Sequence, residues 1–128
     1  MFLLAAATKD ANKSVHNKLV TLKKNYEFQF VFKTGKRLFS PSFSLIVAPC
    51  KKKYPKFGFV ISKKIGKAVV RNKRRRQFKE IARKHLLNAA PFQYVFVIKL
   101  EIETKSFFDI ETEVLKLFEK HNYLEAKE

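Results

Sequence analysis

A chain of 128 residues sets the scale of one domain with one core, burying about two-thirds of its extended-chain surface. Its 28 Lys and Arg against 11 Asp and Glu leave a formal net charge of +17, so the compact form repels itself until a polyanion neutralises it, and nucleic acid is favoured over an anionic membrane. One cysteine, Cys50, excludes an internal disulfide, and three scattered histidines lack zinc-ligand spacing, which fits a reducing compartment and no protein-bound metal.

Residues 1–18 mix Ala, Asn, Lys and Ser without periodicity and are expected to be a loose N-terminal tail. The opening apolar run, Phe2 to Ala7, has no basic residue upstream and falls short of the roughly 7 to 15 apolar residues of a secretory signal. No segment approaches the roughly 20 apolar residues of a membrane span, so a soluble, cytoplasmic protein with no membrane partner is expected. The domain is placed at residues 19–124, with 125–128 as a C-terminal tail.

In "NYEFQFVFKTG" the residues Tyr26, Phe28, Phe30 and Phe32 alternate as in a strand, while Phe28, Val31 and Phe32 also share a helical face. Asn25 as N-cap, Gly35 just past the end, and Lys33 and Lys36 near the C-terminus favour a short helix. "PSFSLIVAP" (41–49) and "KFGFVIS" (56–62) are β-branched and aromatic runs flanking a Lys-rich loop, and are expected to form an antiparallel pair. A helix is predicted from Gly66 to about Leu87, with Asn88 and Pro91 as stop signals, and a third strand at "QYVFVIKL" (93–100). Residues 106–121 place Phe107, Ile110, Val114, Leu117 and Phe118 at helical spacing behind a capping-box start of Ser106 and Asp109. The order α-β-β-α-β-α predicts a single α+β domain with a sheet packed on helices.

The central helix carries the charge. At about 100° per residue, Arg71, Arg75, Lys79, Arg83 and Arg76 fall within about 140°, with Asn72 inside the arc, while Val70, Phe78 and Ile81 cluster opposite. Arg74 falls among the apolar positions and is expected to snorkel to the edge or to lie near the helix end. Glu80 is the only acid between residues 28 and 100, so ion pairing along the helix does not account for the row. Like charges at i,i+4 weaken an isolated helix, which directs the row to an external phosphate backbone. Lys63, Lys64 and Lys67 extend it towards the helix N-terminus, where backbone N–H groups also favour anions.

"FGFVISKKIGKAVVRNKRRRQFKEIAR" resembles the protein subunit of bacterial ribonuclease P, a family marked by a strand, an S-K-K-x-G-x-A-V-x-R-N turn and a helix of R-N-R-x-K-R-x-x-R-E type. Ser62, Lys63, Lys64, Gly66, Ala68, Val69, Arg71, Asn72, Arg76 and Glu80 match as they stand, and Lys73, Arg75 and Lys79 keep the charge. Leu22, Lys23, Lys24, Phe28, Val31, Phe32 and Gly35 resemble the family's L-K-K-x-x-x-F-x-x-V-F-x-x-G pattern. Arg74 stands where the family is usually aliphatic, and Tyr26 and Phe30 stand where it is commonly polar or charged.

The resemblance implies a ribosomal protein S5 domain 2-like fold with a left-handed β-α-β crossover, against the right-handed connection that general rules favour. It implies that Lys63, Lys64, Arg71, Asn72, Lys73, Arg75, Arg76, Lys79 and Arg83 bind the catalytic RNA subunit. It also implies that a cleft between the first helix and the sheet, with Phe28 and Phe32, holds the 5′ leader of precursor tRNA. The chemistry would belong to the RNA, which uses magnesium, and there would be no small-molecule substrate. A generic structural RNA-binding protein is the alternative. A nuclease with its own two-metal site needs several convergent carboxylates, which the basic body, with only Asp10, Glu27 and Glu80, is not expected to supply. His85 has no acidic partner in local sequence, and Glu111, Glu113 and Glu119 read as the polar face of the last helix.

Overall fold

The computed structural model describes residues 19–124, and the expectations for residues 1–18 and 125–128 lie outside them. In chain order the elements are α1 (Asn25–Thr34), β1 (Lys36–Phe39), β2 (Phe43–Pro49), β3 (Lys56–Ile61), α2 (Ala68–His85), β4 (Phe92–Ile98) and α3 (Phe107–Lys120). The α+β arrangement agrees with the sequence, with β1 added. That strand has one inward residue, Leu38, in a pattern too short to register as alternation.

The sheet order is β1-β2-β4-β3. The expected pairing of β2 with β3 is therefore corrected: β4 inserts between them, antiparallel to β2 (Ile46↔Val95) and parallel to β3 (Gly58↔Val95). Central placement suits β4, because Tyr94, Val95, Phe96 and Ile98 give it buried side chains on both faces. A parallel neighbour also requires a crossover, which α2 supplies.

The two faces of the sheet are covered unequally. On one, Phe43, Leu45, Phe57, Tyr94 and Phe96 meet Phe78, Ile81 and Ala82 of α2 and Ile110, Val114 and Phe118 of α3. Phe43 and Phe78 meet edge-on at 5.5 Å, and Tyr94 lies 4.9 Å from Phe118, offset geometries that add to the apolar burial. Tyr94 donates its hydroxyl to Ala90 O at 2.7 Å, and burial pushes its phenol well above the ordinary range. On the other face Leu22 and Val31 pack against Ile46, Ala48 and Val95, with Phe28, Val60 and Val97 at the margin.

The start of α1 differs from the expected Asn25 cap. Lys24 is the N-cap and Asn25 the first helical residue, and Glu27, third in the helix, reaches back so that its Oε1 accepts the backbone N–H groups of both Lys23 and Lys24 at 2.9 Å. These bonds, together with Lys56 Nζ at 3.2 Å, hold the Glu27 carboxyl down at about 2. Gly35 ends the helix by close approach: a Cβ there would lie 2.5 Å from Val31 O and 2.6 Å from Ile46 Cγ2.

Contacts distant in sequence tie α3 down. Glu113 accepts the Ser40 hydroxyl at 2.8 Å and both the N–H and hydroxyl of Ser42, at 3.0 and 2.8 Å. His85 Nε2 lies 2.7 Å from Glu111 Oε2, and Lys84 Nζ lies 3.5 Å from the same oxygen. The His85 hydrogen bond, aided by the charge of Lys84, holds the Glu111 carboxyl below its usual range against the opposing effect of burial. The expected solvated face of Glu111, Glu113 and Glu119 is thus two tertiary clasps plus Glu119, and His85 has its acid on the neighbouring helix. Ser106 and Asp109 form the predicted capping box, at 3.1 Å in each direction.

Candidate nucleic-acid interface

β3 delivers the chain to the basic helix through a tight turn. Ser62 Oγ accepts the N–H of Lys64 at 3.1 Å, opening the 3-10 turn Lys63–Ile65, and Ile65 is buried beneath it. Gly66 follows at φ 147°, a conformation that favours glycine, and frees the chain to turn into α2. Lys63, Lys64 and Lys67 are left exposed around the first turn of the helix.

Burial of Phe78, Ile81 and Ala82 fixes the rotation of α2. Val70, expected on the docked side, is 40 % exposed, so the first turn stands clear of the core that the later turns enter. The row divides accordingly. Asn72, Lys73, Arg76 and Arg83 are exposed, whereas Arg71, Arg75 and Lys79 line a half-buried flank. Arg71 donates to Gly66 O at 2.7 Å and Arg75 to Asn72 Oδ1 at 2.8 Å, so both guanidinium groups are held in place before any ligand arrives. Arg83 pairs with Glu80 at 2.7 Å, an exposed contact of little energetic weight. Lys73 and Arg76 make no such side-chain bond among the described residues.

Arg74 takes neither route expected of it. Its guanidinium crosses to the segment before α3, donating to Lys105 O at 3.1 Å and to Glu103 O at 3.4 Å, with Gln77 Oε1 at 3.0 Å. An aliphatic side chain would leave those carbonyls to solvent. The arginine is a cross-tie inside the fold.

Phe28 and Phe32 lie on α1, which covers the opposite face of the sheet. Phe28 lies against β3 so closely that a Cβ on Gly58 would stand 2.5 Å from its Cε1, so the glycine makes room for the ring. Phe28 is half-buried and packs against the smaller core, and Phe32 is 42 % exposed. Strand alternation places Ser44, Ile46, Gly58, Val60, Val95 and Val97 on this face, and the β1–β2 register adds Arg37 beside Ile46. Arg37 was not among the expected site residues, and β1 is too short for its alternation to point to it. β3 runs directly into Ser62, Lys63 and Lys64, so the strand under Phe28 leads straight to the basic turn. Among the described residues, no three His, Cys, Asp or Glu side chains converge as a metal site, and no helix is long and apolar enough to cross a membrane.

A helix bearing this many cations, entered directly from a strand that packs under Phe28, suits a nucleic-acid-binding α+β protein. The comparisons with known proteins agree with it. The family model described as Ribonuclease P matches residues 17–122. The chain is 38 % identical over 100 residues to the ribonuclease P protein component of a Nitratiruptor species, covering 78 % of this chain and 90 % of that one. It is 36 % identical over 106 residues to the ribonuclease P protein component of Desulforamulus reducens, covering 82 % and 94 %. Its fold superposes on the RNase P protein of Staphylococcus aureus with a TM-score of 0.77 at 22 % identity, over 84 % of this chain and 99 % of that one. For the RNase P protein from Thermotoga maritima the TM-score is 0.72 at 27 % identity, over 78 % and 96 %. The chain belongs to the ribonuclease P protein family.

Proposed function

We propose that this chain is the protein component of ribonuclease P, working in the cytoplasm with a catalytic RNA that removes the 5′ leader of precursor tRNA. The observation that carries this reading is the continuity of the α1 face with α2. One strand, β3, packs under Phe28 and then presents Lys63 and Lys64 at the head of the basic helix. A protein built in this way bridges two RNA segments at once.

In this reading Lys63, Lys64, Arg71, Asn72, Lys73, Arg75, Arg76, Lys79 and Arg83 contact the backbone of the catalytic RNA. The pre-set guanidinium groups of Arg71 and Arg75 suit bidentate phosphate contacts with little further loss of freedom. Their charge offsets phosphate–phosphate repulsion in the folded RNA and lowers the magnesium concentration it requires. Phe28 and Phe32 stack on unpaired leader bases, a contact indifferent to base identity. Mature tRNA has no leader and forgoes these contacts, so the protein favours substrate over product. Hydrolysis belongs to the RNA and its magnesium ions.

The test is reconstitution. Purified protein, a bacterial ribonuclease P RNA and a precursor tRNA are combined at low magnesium, and 5′ cleavage is compared with RNA-only and protein-only reactions. Cleavage confined to the mixture is the expected result. Cleavage by protein alone would place the chemistry on the chain, and tight RNA binding without stimulation would leave a generic RNA binder.

A further inference from the structure

Tyr26 and Phe30 stand one turn apart on the side of α1 turned away from the sheet, 67 % and 45 % exposed. The fold makes no use of them. The helix buries Val31 and half-buries Phe28, and neither outward ring meets another ring among the described residues. At about 100° per residue, Tyr26, Phe30 and Lys33 fall within about 60° of one another, and Gln29 separates them from Phe32. Lys23, Lys24 and Lys33 are exposed on and beside this helix, and its one carboxylate, Glu27, is occupied by backbone N–H groups and Lys56. The face therefore combines flat apolar rings with cations and has no free anion among the described residues.

That combination selects the occupant. A second copy of this chain would bring the same lysines against each other, within a molecule whose net charge is already +17. A single RNA strand supplies both complements, since its bases stack on the rings and its phosphates meet the lysines. Phe28 and Phe32, the proposed leader contacts, lie on the same helix, and the outward rings are at most one helix diameter away, about 10–12 Å.

We propose that the outward face of α1 is a second stacking platform, where Tyr26 and Phe30 take unpaired bases of the leader beyond those held at Phe28 and Phe32. A strand leaving Phe32 crosses Gln29 and Lys33 to reach it, with Lys33 at its phosphates. The proposal rests on the leader reading given above and extends it to leaders long enough to pass over the helix.

The experiment uses the reconstituted complex and two precursor tRNAs, one with a short leader and one with a leader several-fold longer. Substrate affinity is measured for the parent protein, for the combined Tyr26→Ser and Phe30→Ser variant, and for the combined Phe28→Ala and Phe32→Ala variant, each checked for folding by circular dichroism. The outward variant is expected to match the parent on the short leader and to weaken long-leader binding by about fivefold or more for each ring removed. Unchanged long-leader affinity in that variant, with weaker binding in the Phe28 and Phe32 variant, overturns the second platform and leaves the leader contact at Phe28 and Phe32 intact. Unchanged affinity in both variants overturns the leader reading and the platform with it. A smaller sedimenting mass for the outward variant at unchanged affinity would make this face a contact between two copies, which also overturns the proposal.

Discussion

Glu113 of α3 accepts both the N–H and the hydroxyl of Ser42, so one carboxylate fastens the last helix to the turn between β1 and β2. Ser42 is fully buried and has no route to water if that carboxylate is lost. Glu113→Ala is expected to lower stability by about 2 to 4 kcal/mol, the cost of leaving two buried polar groups unpaired. Glu119→Ala, which removes no such clasp, should stay within about 0.5 kcal/mol. Urea unfolding of the two variants measures the contrast.

Glu27 makes stability depend on acid. Its carboxyl titrates at about 2 in the folded chain, against an ordinary value of 4.5, so the unfolded chain takes up the proton first as pH falls. Its contribution is complete above about pH 5 and is lost as pH falls from 4.5 through about 2. Glu27→Gln should cost about 1 to 3 kcal/mol at pH 7, and the gap between parent and variant should close towards pH 2. Denaturant titrations across that range would show a constant gap if the carboxylate were idle.

Arg74 and Arg76 lie two residues apart and are expected to fail differently. Arg76→Ala should lower the slope of log affinity for the catalytic RNA against log salt by up to about one unit, leaving stability within about 0.5 kcal/mol. Arg74→Ala should lower stability by about 1 to 3 kcal/mol, because its bonds to Lys105 O and Gln77 Oε1 are lost. Its effect on the salt slope should be smaller. Equal slope changes in the two variants would mean that Arg74 meets phosphate too.

Two glycines give a further contrast. Gly35→Ala sets a Cβ against fixed backbone, 2.5 Å from Val31 O and 3.0 Å from Val47 O, and should destabilise by about 1 to 3 kcal/mol. Gly58→Ala meets the end of the Phe28 ring, which can swing away. That variant should fold and lose part of its preference for precursor over mature tRNA, as measured by parallel binding assays.

Much of this was legible in the chain. The period of α3 and its Ser106–Asp109 start, the extent of α2 and the exposure of Arg76 and Arg83 are local properties, and they emerged from spacing alone, whereas Arg71, Arg75 and Lys79 lie on a half-buried flank. What was missed depends on partners far away in sequence. The neighbours of β2 and β3 are set by β4, which follows them by some thirty residues or more. The acid that meets His85, the serines that meet Glu113 and the carbonyls that meet Arg74 all lie on other elements. β1 is too short for its alternation to be seen. On α1, spacing left Phe28 and Phe32 poised between core and surface, and the structure separates them by half-burying the first and exposing the second.

The division of the core between the two faces of the sheet has a consequence for motion. α2 and α3 are rooted in the large cluster that contains Phe43, Phe78, Phe96 and Phe118, whereas α1 is rooted in Leu22, Val31, Ile46, Ala48 and Val95. Cooperative units with few buried anchors open at lower free energy than the whole molecule. The amides of α1 are therefore expected to exchange with solvent at lower opening free energy than those around Phe78 and Ile81, a difference that hydrogen exchange measures. A leader strand bound at Phe28, as proposed, should slow that exchange and leave the core amides unchanged.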